Sequence, residues 1–148
     1  MKINGMINQK ALLNDVFDEL YNEFKDDIRN DKDLYYNAYV FKQPPETPVL
    51  PHIQIIHHAV PIDENLDKGE GKWRIGLEVH VFAQDLPNYE RRVIVRDLSE
   101  KVVDFFYHEY GFDLTFDGET PNLDTRILRH TMRFRAGYDL NTGFSYRK

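Results

Sequence analysis

Apolar residues along this chain switch between two periods, and the switches divide it into eight elements. From Asn8 to about Asn30, Leu13, Val16, Phe17, Leu20, Phe24 and Ile28 recur at three- and four-residue spacing, with acids and amides between them. That spacing predicts an amphipathic helix with Asn8 as its N-cap, ended by Asn30 to Asp33. Leu34–Phe41 is rich in tyrosine and predicts a strand. Gln43–Pro48 holds three prolines, which cannot donate to a ladder, so it reads as an extended connector. Val49–Val60 resumes strand character with apolar residues on both faces. Pro61–Lys72 is a polar, glycine-containing loop of the length that is usually functional or mobile. Trp73, Ile75, Leu77, Val79 and Val81 then alternate strictly and predict a buried-face strand.

The second half repeats the change of period. Pro87 fits a first helical turn; Ile94, Val95, Leu98, Val102, Phe105 and Phe106 form an apolar stripe, and Gly111 sits at a C-cap position, predicting a helix over about 87–110. Phe112, Leu114 and Phe116 predict a short strand, and Gly118 and Pro121 a turn. From Arg126 to Tyr138 the period is two again. Leu128, His130, Met132, Phe134, Ala136 and Tyr138 share one face; Arg129, Thr131, Arg133 and Arg135 share the other. Asp139–Gly143 reads as a hairpin loop before a last strand through Phe144 and Tyr146, so that a long strand and hairpin fill about 125–147. The order α-β-β-β-α-β-β-β predicts one α+β domain over residues 1–148. Its expected architecture is a two-layer sandwich, a mainly antiparallel sheet with both helices packed on one face.

Composition narrows the class. The chain has 148 residues, 41% hydrophobic and 14% aromatic, enough for a packed core. It has no cysteine, which removes disulfides, thiolate metal sites and cysteine nucleophiles together. Neither a signal-type apolar segment nor a membrane-length apolar run occurs, so no membrane association is expected. The net charge of −6 argues against a general nucleic-acid binder. That charge is uneven: Asn14–Asp33 holds eight acids against three bases, and Arg126–Lys148 holds six bases against one acid. The split reads either as two solvated faces or as an acidic and a basic surface through which copies meet head to tail.

Candidate chemistry is sparse. His52 and His58 share a strand face while His57 points the other way, and six residues along a strand span about 20 Å, too far for one metal site. His80 and Glu78 can approach them from a neighbouring strand. His108 and Glu109 close the second helix. Asp113, Asp117, Glu119 and Asp124 lack calcium-loop spacing, and neither Ser99 nor Ser145 sits in a nucleophile elbow. No phosphate-binding glycine motif is present. Arg91, Arg92 and Arg96 can extend a basic surface made by the C-terminal arginines, and guanidinium groups pair well with carboxylates.

The segment Pro121-Asn122-Leu123-Asp124-Thr125, followed by Arg129-His130-Thr131-Met132-Arg133-Phe134-Arg135, then Gly137-Tyr138 and the closing Thr142 to Arg147, resembles small head–tail joining proteins of tailed bacteriophages. It is most similar to the tail-terminator, or tail-completion, group, which includes proteins labelled minor capsid proteins. The strand Ile75–Ala83, the helix to Tyr110 and Gly111-Phe112 follow the same family order. The resemblance implies a non-enzymatic virion protein of the tail and neck, assembled in the host cytoplasm and needing no cofactor. It implies a homohexameric ring that caps the tail tube, ends tube polymerisation and contacts the head connector or stopper. In such a ring Arg126, Arg129, Arg133 and Arg135 would face either an adjacent subunit or the tail tube; Asp15, Asp18 and Glu19 of the acidic helix, and Asp63, Glu64, Lys68 and Glu70 of the long loop, would be further interface residues. The rival readings are another neck component, stopper or adaptor, and a small metal-dependent enzyme built on His52, His58 and His80.

Overall fold

The computed structural model describes residues 2–32, 34, 36–43, 49–61, 72–139 and 142–145, with side chains described for those between 12 and 144. The proline-rich connector (44–48), most of the polar loop with Asp63, Glu64, Lys68 and Glu70, and the last residues from Tyr146 lie outside the described residues. The elements follow in the order α1 (Lys2–Arg29), β1 (Tyr39–Phe41), β2 (His52–Pro61), β3 (Lys72–Ala83), α2 (Arg91–Val103), β4 (Asp113–Thr120), β5 (Leu128–Asp139) and β6 (Gly143–Ser145). Past Val103 the second helix runs on as a π-helical segment, Asp104–Glu109.

The strands form one sheet in the order β1-β2-β3-β5-β4, with β6 also on β5. β3 pairs with β5 along its whole length, Lys72 opposite Asp139 through Ala83 opposite Leu128. β6 therefore shares the far edge of β5 with β4, beyond the point where β4 ends. β1 runs parallel to β2, whereas every other described pairing is antiparallel. The fold is α+β, as expected, with two helices and a curled sheet that is antiparallel except for the β1–β2 pair. At one end of the sheet β4 is the outer strand; it carries Asp113, Asp117 and Glu119 and a bulge between Leu114 and Phe116.

The alternation in β3 decides where the core lies. Trp73, Ile75, Leu77, Val79 and Val81 are all buried, and the residues beside them on β5 include Ala136, Phe134 and Met132. Leu13, Phe17, Leu20, Phe24 and Ile28 of α1 supply the apolar stripe that meets this face, with Phe17 stacked on His57 at 4.0 Å. Phe106 is the hub: its ring lies 5.5 Å from Phe24, 5.9 Å from Phe112 and 5.4 Å from Phe134, so one side chain ties both helices to the sheet. Burying each side chain of this size stabilises the fold by about 1.5–3 kcal/mol relative to leaving it in water.

Several expected boundaries move, each for a local reason. α1 begins at Lys2, so Asn8 lies inside the helix and is not its cap; Ile3, Met6 and Ile7 continue the helical spacing upstream. Among the described residues of 34–41, strand character is confined to Tyr39–Phe41, because Tyr36 leaves the strand path to pack edge-on against Tyr89 at 5.3 Å. β2 begins at His52, after the Leu50–Pro51 peptide, which is cis. α2 begins at Arg91, four residues beyond Pro87, because Leu86 and Tyr89 exchange backbone hydrogen bonds (2.8 and 3.2 Å) across a tight turn with Pro87 at its corner. The Asp85 carboxylate then accepts the Arg91 amide at 2.9 Å, satisfying one of the donors a helix start leaves open. The π-helical turn keeps the adjacent Phe105 and Phe106 both in the core. Gly111, at φ 73°, turns the chain out at the expected position, and Gly143, at φ 91°, does the same in the last hairpin.

Candidate interaction surface

Register fixes what faces away from the core. Tyr39 and Phe41 of β1, Ile56 and His58 of β2, Arg74, Glu78 and His80 of β3, Arg129, Thr131, Arg133 and Arg135 of β5, and Phe116 of β4 all share the second, charged face of the sheet. The predicted two-face split of the long strand therefore holds residue for residue from Leu128 onward. Arg126 precedes the strand: it sits in a turn, where its backbone amide and guanidinium both donate to the Asp124 carboxylate at 2.9–3.0 Å. That fork holds Asp124 below the usual carboxylate range and raises Arg126 further.

The arginines of β5 differ sharply in environment. Arg129 is engaged within its own chain: its Nε–H and Nη2–H donate to His80 Nδ1 at 3.2 Å, and its guanidinium lies 5.7 Å from the Phe82 ring centre. Because an arginine can only donate, His80 Nδ1 is the bare nitrogen and Nε2 carries the proton. Nε2 in turn donates to Glu78 Oε1 at 2.9 Å. Burial first, and then the neighbouring Arg129 charge, push His80 below its ordinary 6.5, against the pull of Glu78. The Thr131 hydroxyl lies 3.0 Å from Nδ1 and 2.7 Å from the Thr120 hydroxyl. Carboxylate, imidazole and hydroxyl thus fall in the order of a hydrolytic triad, but Thr131 is only 1% exposed and its hydroxyl is spent on these two partners.

Arg133 and Arg135 stand in solvent. Arg133 lies over the half-exposed Phe116 ring at 5.2 Å and 3.9 Å from Glu78. Arg135 is exposed one step further along β5, and exposed Arg74 joins it from β3, where it pairs with Gly137. The acids named on α1, Asp15, Asp18 and Glu19, are exposed and do not belong to its buried stripe. Asp18 forms an ion pair with Lys42, and the Glu19 charge, after burial, raises Tyr138 near the end of β5.

The remaining histidines do not gather. His52 Nδ1–H donates to the Val49 carbonyl at 2.9 Å, and burial lowers its pKa. Burial, and then the Lys42 charge, also lower that of His57. The His58 ring lies across Gly76, 2.1 Å from where a Cβ would stand. His130 is on the apolar face, hydrogen-bonded to Asp117 in a cleft of about 590 Å³ between α2 and the β4–β5 edge. Val95, Val103 and Leu128 line that cleft beside Arg92, Arg96 and Glu119. Among the described residues no three histidine, aspartate or glutamate side chains converge as metal ligands, and no described helix is long and apolar enough to cross a membrane.

Arg74, Phe116 and exposed Leu12 are the surface residues that sequence reasoning passed over. The signal for Arg74 was present, since it alternates with Trp73 and Ile75. Phe116 had none, because the bulge moves it out of phase with Leu114. Comparison with models of known protein families finds no match, and comparison with curated proteins finds none either.

Proposed function

We propose that this chain is a structural protein of a tailed-phage virion, a tail terminator. Its copies form a ring, a hexamer in this reading, at the head-proximal end of the tail tube. The ring ends tube polymerisation and joins the tail to the head connector. We also propose that both helices form one layer against the apolar face, completing a two-layer sandwich whose charged face stays open. Its partners are then its own copies, the tail-tube protein and the connector or stopper, with no cofactor, no membrane and no specific nucleic acid.

The observation that carries the reading is the separation of charge. Exposed Arg74, Arg133 and Arg135 stand on the charged face of the sheet, and exposed Asp15 and Glu19 stand on α1 outside its buried stripe. A protomer that carries surfaces of opposite sign on different elements can make heterologous contacts, the kind that close into rings. The resemblance of the Pro121–Arg135 segment to tail terminators supplies the rest. The buried state of Thr131 favours a structural role over a catalytic one, since a substrate carbonyl has no approach to its hydroxyl.

Electron microscopy of particles assembled without this protein tests the assignment. The expected result is free heads beside overlong or irregular tails. Tails of normal length that fail to join heads would move the protein to a stopper or adaptor role.

A further inference from the structure

The open charged face and the outer flank of α1 match each other in more than sign. On α1, Leu12, Asp15 and Glu19 fall within about a 60° arc of the helix, and Leu12 is 54% exposed. Leu12 and Asp15 are separated by about 4.5 Å along the axis, and Asp15 and Glu19 by about 6 Å. On the sheet, Phe116 is 38% exposed and sits opposite Arg133 across one strand spacing of about 4.8 Å; Arg135 follows about 6.8 Å along β5. Each surface thus presents one exposed large apolar group beside two like charges: in line along the axis on α1, and with Phe116 to the side of the Arg133–Arg135 pair on the sheet. Leu12 and Phe116 are conspicuous, because nearly all the other large apolar side chains described on α1 and β4–β5 are buried or packed against the core.

We infer that the occupant of the charged face is a second copy of this chain, whose α1 lays Leu12 against Phe116 and sets Asp15 and Glu19 against Arg133 and Arg135. The inference rests on the ring reading above and names its contact. Arg129 takes no direct part, since His80 holds it inside the protomer. It acts as a positioning residue: with Glu78 engaged by His80, the nearest carboxylate to Arg133 is already shared, and the Arg133 guanidinium keeps capacity for a partner. The contact joins unlike surfaces, so a rotation between copies closes a ring and a pure translation extends a filament.

The test is charge exchange in the full chain, read by sedimentation and native mass spectrometry at low ionic strength. R133E/R135E and D15K/E19K should each fold with an unchanged circular-dichroism spectrum. Each alone should lose self-association by about a hundredfold. Mixed in equal amounts they should associate again in strict alternation, because the acidic helix of the first then meets the basic face of the second, and the converse. The fourfold variant should assemble by itself. Wild-type-like assembly of either double variant, failure of the folded pair to associate when mixed, or a wild type that stays monomeric would overturn the contact. Normal-length tails in particles lacking the protein would sink the terminator reading and leave this contact standing.

Discussion

His80 holds a neutral ring between two charges of opposite sign, and its proton is placed by its neighbours. Glu78 takes the Nε2 hydrogen while Arg129 claims the Nδ1 lone pair, so a second proton would have to displace the guanidinium. His52 and His57 are likewise depressed, chiefly by burial. For all three the unfolded chain binds protons more readily than the folded one, so their contribution to stability is complete above the ordinary value of 6.5. It is lost as pH falls from 6.5 towards the lowered folded values. Thermal melts taken downward through that window should show a falling melting temperature, and His80→Gln, which can still donate to Glu78, should make the fall shallower. A melting temperature flat across the window would show that the three rings are solvated.

At the scale of elements, β2 and β3 show how tightly neighbouring strands are fitted. Gly76 is a glycine in the interior of a strand, which normally costs about 0.5–1 kcal/mol against alanine. Here the His58 ring occupies the space a Cβ would need. Gly76→Ala should therefore gain little alone, because His58 must swing away. In a His58→Ala background the same change should stabilise by about 0.5–1 kcal/mol, a non-additivity that a denaturant double-mutant cycle measures directly. Strands of this kind were legible in the sequence: β3 and β5 alternate over their whole length, and the stripes of α1 and α2 follow the 3.6 period. What escaped was set by contacts distant in sequence. β1 is short because Tyr36 packs on Tyr89, and α2 starts late because Leu86 bonds to Tyr89; neither pairing leaves a trace in local periodicity. The parallel pairing of β1 with β2 is of the same kind, since chain direction within a sheet is carried by the connector and not by the strands it joins. The arginine face could be read from alternation alone, but the separation of engaged Arg129 from open Arg133 and Arg135 required the β3–β5 register that brings His80 beside it.

Across the whole molecule, a net charge of −6 sums an acidic and a basic end of the sequence, and exposed ion pairs are strongly screened. If copies associate as proposed, that association should weaken steeply as salt rises from about 10 mM to 150 mM, where the screening length shrinks from about 30 Å to about 8 Å. An association constant insensitive to salt, measured by sedimentation, would point to a mainly apolar contact instead. β4 bears on the same question from the sheet's end. Three carboxylates and a bulge make that border a poor template for an incoming backbone, since a stacked neighbour would bring like charges together and meet a broken ladder. Newly made chains can therefore accumulate at high concentration without zipping into cross-β fibres along this border.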